Sequence, residues 1–227
     1  MFRFLTAAFV AGAMTAVAGH AATVGADTAS ASSEFSGSYI AENTINGTGL
    51  STTGDPTASH GIYLRGNHWT TARGGVDGAF IEWGFTAPGS LGGLYIWNHR
   101  STTSAGGGVA NNTNYEPTLF DLEFRDASDT VLRSFTDQSI APDTDLAQAF
   151  TMTSILAGVS TVKFTVKQVQ GTTPFTGLAE VLFDDSVITG PNVTELGAST
   201  TPPVPLPAAA WFLLAAIGGL FMARRKA

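Results

Sequence analysis

Through the middle of the chain, apolar residues recur at every second position. In Phe80-Ile81-Glu82-Trp83-Gly84-Phe85, the residues Ile81, Trp83 and Phe85 fall on one face. Phe120, Leu122 and Phe124 share a face, with Asp121, Glu123 and Arg125 on the other. Val162, Phe164 and Val166 alternate with Lys163, Thr165 and Lys167. Successive side chains of a strand point to opposite faces, so this pattern predicts half-buried strands rather than helices. Leu94–Trp97, Val131–Phe135 and Leu178–Phe183 read as further strands. A sheet that is apolar on one face needs a second layer to cover it. The expected architecture is all-β, a β-sandwich.

The punctuation agrees. Asp126-Ala127-Ser128-Asp129 predicts a short hairpin connection, and Thr86-Ala87-Pro88-Gly89-Ser90 is expected to separate two strands. No long helical period interrupts the strands. Cysteine is absent, which excludes a disulfide scaffold and thiolate chemistry. Arg3, Arg224, Arg225 and Lys226 lie at the two ends, whereas all 18 acidic residues lie between them. The body is therefore more acidic than the net charge of −7 suggests. Such a surface argues against nucleic acid as partner and suits divalent cations or neutral polymers.

The two ends read differently from the body. MFRFLTAAFVAGAMTAVAGHAA has one early basic residue, Arg3, an apolar run from Phe4 to about Val17, then Gly19 and Ala21 at small-residue positions. This is the plan of a secretory signal over residues 1–21, cut after Ala21. A retained anchor is the alternative, for which the run is short. At the other end, Ala208–Ala223 is apolar and near the lower limit for crossing a bilayer. Trp211 suits an interface, the basic cluster suits the cytoplasmic side, and Pro205 and Pro207 stop a helix upstream. The stretch ITGPNVTELGASTTPP, residues 188–203, is expected to be a flexible spacer.

Val204-Pro205-Leu206-Pro207-Ala208, an apolar run, then Arg224-Arg225-Lys226 at the terminus resembles a VPLPA-CTERM sorting signal, a relative of the PEP-CTERM signals of Gram-negative bacteria. The resemblance covers residues 204–227. It implies processing by an exosortase after export across the inner membrane, with delivery to the cell surface or an extracellular polysaccharide matrix. An ordinary tail anchor is the alternative.

In the body, residues 22–187, the order of features is SSEFSGSYIAENTINGTG, then Asn67-His68-Trp69-Thr70-Thr71, AFIEWGF, LYIWN, LFDLEFRDASDTVL and GLAEVLF. This order resembles the discoidin, or factor 5/8 type C, group. That resemblance implies a galactose-binding-like jelly roll, a group that includes many carbohydrate-binding modules. It also implies a structural Ca²⁺ near the turn Ala41–Gly47, where Asn46 stands in place of the usual Asp, with Glu180 from the closing strand. The other reading of these residues is a tight Asn46-Gly47 turn and a surface Glu180.

The resemblance places ligand contacts in loops at one end, here Tyr63, Arg65, His68, His99 and Arg100. Aromatic faces stack on sugars, while imidazole and guanidinium groups hydrogen-bond hydroxyls. Trp69 and Trp97 read as core, and His99 and Arg100 are also compatible with ordinary exposed loop. Ser101–Glu116 reads as a mobile loop beside the site. There is no G-x-S-x-G or H-E-x-x-H motif, His60 and His68 lack metal-ligand spacing, and Asp184-Asp185 reads as a solvated turn. The expected function is non-catalytic recognition of extracellular carbohydrate or exopolysaccharide. A structural matrix or adhesion protein is the alternative, with a secreted glycosidase behind it.

Overall fold

The computed structural model describes residues 22–99, 115–142 and 144–197. The strands are β1 (Thr23–Val24), β2 (Thr28–Ala31), β3 (Trp69–Thr70), β4 (Phe80–Asn98), β5 (Pro117–Arg125), β6 (Val131–Ser139), β7 (Gln148–Val169), β8 (Gly177–Asp184) and β9 (Val193–Glu195). The 3-10 turn Ala41–Thr44 interrupts them. The chain is all-β, as the alternation predicted. Every strand pairing is antiparallel except that of β9 with β7.

Two long strands build both layers. The first part of β4 pairs with the last part of β7 (Ile81 with Phe164, Trp83 with Val162), and the last part of β4 pairs with the first part of β7 (Leu94 with Phe150). β2, β5 and β6 extend the first half of this ribbon, while β8, β1, β3 and β9 extend the second. The halves then face each other. Trp83 meets Phe183 of β8 with ring centroids 5.7 Å apart, and Phe120 of β5 meets Phe150 of β7 at 5.3 Å. Within the first layer, Phe120 stacks on Phe164 at 4.6 Å. Trp83, Phe120, Phe124, Phe150, Phe164 and Phe183 are all fully buried. The period-two pattern thus supplies a dry aromatic core between two layers.

Two expectations are corrected, and one strand is longer than the alternation showed. Thr86–Ser90 does not separate two strands; β4 runs through it. Its pairing with β7 jumps from Gly84–Thr161 to Gly89–Val159, so Pro88 sits in an unpaired irregularity where no N–H is required of it. The first half of β7 carries no clean alternation around Ser154–Ser160, yet it continues into Val162–Val166 as one strand. Finally, residues 188–197 are not spacer. β9 lies along β7, Leu196 N–H donates to Thr151 O at 2.8 Å, and Ile188 and Leu196 are buried. Two apolar side chains flanking a docked strand outweigh a polar, turn-rich composition. The expected turn at Asp126–Asp129 is present, with Asp129 in the left-handed region at φ 62°.

Candidate functional site

The loops before β3 and the ends of β4, β5 and β8 meet at one pole of the sandwich. Asparagines fold these loops. Asn67 Oδ1 accepts from Leu64 N–H at 2.8 Å, and Asn67 Nδ2 donates to Ile62 O at 2.9 Å, closing the turn that carries Tyr63 and Arg65. Asn43 Nδ2 donates to Ser38 O and His68 O, at 3.0 and 2.9 Å, which ties the Tyr39 loop to the same turn. Asn98 Nδ2 donates to Pro117 O and Ala141 O, at 2.9 and 3.1 Å. Thr176 Oγ1 donates to Tyr115 O at 2.9 Å, fixing Tyr115 beside Phe175.

The result is a closed circuit of rings. Centroids lie 5.7 Å apart for His99–Tyr115, 5.5 Å for Tyr115–Phe175 and 5.4 Å for Phe175–Phe35. The circuit continues through Phe35–Tyr39 at 5.7 Å, Tyr39–Tyr63 stacked at 4.9 Å, and Tyr63–His99 at 4.9 Å. His68 lies 4.9 Å from both His99 and His60. Tyr39, Tyr63, Tyr115 and Phe175 are half-buried, and Phe35 is 50% exposed. His60, His68 and His99 lie beneath, out of solvent. His60 approaches so closely that a Cβ on Gly49 (φ +107°) would stand 2.6 Å from its Cε1.

The expected ligand residues therefore divide. Tyr63 and the exposed Arg65 are on the rim. His68 and His99 are brought to the same place but face inward, a correction to their expected role as hydroxyl ligands. Loop closure over a second set of aromatic rings is the reason. Burial holds the His68 imidazole well below its usual range, with the nearby His99 and His60 adding to it. Burial, then His60, pushes His99 down to about 3. Neutral imidazoles here cannot relay protons near neutral pH. His68 Nδ1 donates to Asn67 Oδ1 at 2.7 Å, and His99 Nδ1 is buried with no hydrogen-bond partner among the described residues. Arg100 and most of the Ser101–Glu116 loop lie outside the described residues.

Trp69 and Trp97 are core, as read. Both are fully buried, with indole N–H groups donating to Ser33 O at 3.0 Å and Ala58 O at 2.9 Å. Sequence reasoning missed Phe35, Tyr39, Tyr115 and Phe175. A signal was present in aromatic residues set among Gly, Ser and Thr, at Phe35 and Tyr39 in SSEFSGSYI and at Phe175 in TTPFTG. His60 lacks metal-ligand spacing in sequence, yet the loop that follows it brings His68 to within 4.9 Å, ring centroid to ring centroid. No group of three or more His, Cys, Asp or Glu among the described residues is arranged to hold a metal.

The expected calcium pair is tested by its oxygens. Asn46 Oδ1 accepts from Thr48 N–H at 2.7 Å. Glu180 is 1% exposed, and its two oxygens accept from Gly47 N–H at 3.3 and 3.1 Å. The structure brings Asn46 and Glu180 to the same turn, where the two Glu180 oxygens share a single N–H and keep acceptor capacity beyond it. Glu180 is also not the surface residue of the other reading. Asp184 and Asp185 do not form a carboxylate pair: Asp184 is buried, with Oδ1 accepting from Ser186 N–H and Oγ–H at 2.9 and 2.8 Å.

Among the described residues no helix is long and apolar enough to cross a membrane. The signal over 1–21 and the sorting segment 204–227 lie outside them. No family model and no curated protein matches the sequence. Solved structures do resemble the fold. One is the F5/8 type C domain of a protein from Bacteroides fragilis, 14% identical, covering 75% of this chain and 99% of that one with a TM-score of 0.48. Another is a fucose binding module from Streptococcus pneumoniae, 13% identical, covering 71% and 93% with a TM-score of 0.48. A third is a family 32 CBM from C. perfringens in complex with galactose, 19% identical, covering 69% and 92% with a TM-score of 0.42.

Proposed function

We propose that the chain is a non-catalytic carbohydrate-binding module that recognises extracellular polysaccharide through its aromatic pole. The observation that carries this reading is the circuit of partly exposed rings from Phe35 through Tyr39, Tyr63 and Tyr115 to Phe175. Half-buried rings on anchored loops offer flat apolar faces at little entropic cost, and their hydroxyls supply hydrogen bonds. Arg65 at the rim adds donors for sugar hydroxyls. His68 and His99 act indirectly, as the packed floor that fixes the angle of Tyr63.

The terminal segments support export and surface sorting. In this reading residues 1–21 are a signal peptide, and Val204–Ala208 with Arg224 and Arg225 direct exosortase processing from a membrane-tethered precursor to the cell surface or matrix. A second reading has an observation of its own. Phe35 and Leu64 are 50% and 54% exposed on neighbouring loops of the same pole, a combination that also suits a protein partner or self-association in a matrix.

A glycan panel that includes the host's own exopolysaccharide, probed with the processed chain, separates the two. Carbohydrate recognition predicts saturable binding that Tyr63→Ala weakens without changing the fold. Concentration-dependent self-association with no glycan bound would replace it with the matrix reading.

A further inference from the structure

We propose that the aromatic pole selects acidic polysaccharide, with Arg65 and Arg73 as the groups that pair with its carboxylates; this rests on the carbohydrate reading and names the class of chain the site takes. Arg73 lies in the loop that follows β3.

The two arginines stand on matching turns. Leu64-Arg65-Gly66-Asn67 is closed by Asn67 N–H donating to Leu64 O at 3.4 Å, and Ala72-Arg73-Gly74-Gly75 by Gly75 N–H donating to Ala72 O at 3.0 Å. In each, arginine is the second residue and a glycine in the left-handed region is the third, Gly66 at φ +86° and Gly74 at φ +83°. In each, that glycine's N–H donates to the residue just before a ring of the circuit. Gly66 donates to Ser38 O at 2.9 Å, beside Tyr39, and Gly74 donates to Pro174 O at 2.7 Å, beside Phe175. Phe35 lies between Tyr39 and Phe175 in the circuit, so the two turns flank the rings on different sides. Both arginines are exposed.

Their charges are uncommitted. Arg125 pairs with Glu123 and Asp129, Lys163 with Glu82, and Lys167 with Asp121, in and beside the first layer. Arg65 and Arg73 make no ion pair with any described residue. Glu34, next to Phe35, is drawn toward the 3-10 turn, its Oε1 accepting from Ala41 N–H at 2.9 Å. The His68 and His99 imidazoles beneath are neutral, so among the described residues of this pole the two guanidinium groups supply the positive charge. The body is acidic elsewhere, which disfavours a polyanion over the rest of its surface.

A guanidinium presents a planar pair of N–H donors that matches a carboxylate, and it is more weakly hydrated than an ammonium. A uronic-acid chain stacked on the rings carries carboxylates at its edges, where the arginines stand. A neutral chain gains no charge-assisted bond from either, and that difference is the selectivity.

The test is calorimetric titration of the processed chain with native and carboxyl-reduced forms of the same polymers: the host's own exopolysaccharide, polygalacturonate and alginate. The expected result is at least one native polymer bound about twentyfold more tightly than its reduced form. Arg65→Gln and Arg73→Gln should each weaken that binding about fivefold with an unchanged circular dichroism spectrum, and the double variant should bind the native polymer no better than the reduced one. Lys167→Gln removes a charge from the outer face of the first layer and should have no effect. An equal loss in Lys167→Gln overturns the proposal, because net charge and not the pole would then set affinity. Reduced polymers bound as tightly as native ones also overturn it, while the carbohydrate reading stands. No binding of any polymer in either form sinks both.

Discussion

Two aromatic clusters lie in this molecule, and they are built in opposite ways. Between the layers, Trp83, Phe120, Phe150, Phe164 and Phe183 are delivered by strands and are completely dry. At the pole, Phe35, Tyr39, Tyr63, Tyr115 and Phe175 are delivered by loops and keep part of each ring in water. The first set is positioned by the ladder, which leaves no freedom once the register is fixed. The second is positioned residue by residue, through Asn43, Asn67, Asn98 and Thr176. Aromatic residues thus form a sealed core in one place and a partly solvated surface in the other, and what separates them is solvent exposure.

The largest test of that contrast is Phe164→Ala. Phe164 packs on Trp83 and Phe120, and its loss should cost about 3–5 kcal/mol in urea unfolding. Glycan binding should survive wherever the protein remains folded. Loss of binding in a folded variant would mean that the two clusters are coupled.

Acid should strike the pole before the core. The His99 imidazole falls from its usual 6.5 to about 3 in the folded chain, and His68 is lowered in the same direction. Between those values the unfolded chain binds more protons, so stability is full above about 6.5 and declines as pH falls toward 3. At pH about 5 the loss from one such histidine is about 2 kcal/mol. His99→Gln should flatten the acid limb of a Tm-against-pH curve. Glu180 acts with the opposite sign: its carboxyl is raised from 4.5 to about 8, so its contribution is lost as pH rises through that window, and Glu180→Gln should flatten the alkaline limb. A wild-type Tm that stays level across both limbs would contradict the burial of these groups.

Ring by ring, the effects at the pole are smaller and specific to binding. Tyr63→Ala should weaken glycan affinity by about 1 kcal/mol, roughly a fivefold change in Kd measured by calorimetry, while the urea midpoint moves far less than in Phe164→Ala. Equal losses of stability in the two variants would erase the distinction between recognition and cohesion. Smallest of all, Lys163→Met should change stability by no more than about 0.5 kcal/mol, because the Lys163–Glu82 pair at 3.4 Å is partly solvated.

Most of the strand framework was legible, and the reason is local. Ile81, Trp83, Phe120, Leu122, Phe124, Val162, Phe164 and Val166 alternate in sequence because they alternate across a pleat, so periodicity alone identified the buried face. Continuity was less legible. β4 passes through Pro88 and β7 through Gly158, which are breakers unless the neighbouring strand leaves them unpaired or bent, and only the pairing reveals that. The candidate site was legible in part. Tyr63 and Arg65, named from the resemblance, lie on the rim of the pole, but His68 and His99 turned inward, and Phe35, Tyr39, Tyr115 and Phe175 entered from segments far apart in the chain.

The sequence by itself determined the class of fold and the acidic character of the body, since each depends on neighbours along the chain or on totals. The tertiary structure alone decided that three histidines share one dry floor and that Glu180 holds the Asn46-Gly47 turn. It also decided that residues 188–197 belong to the sandwich. Those outcomes depend on which distant segments meet, and burial, which sets the charge state of an imidazole or a carboxyl, exists only once they have met.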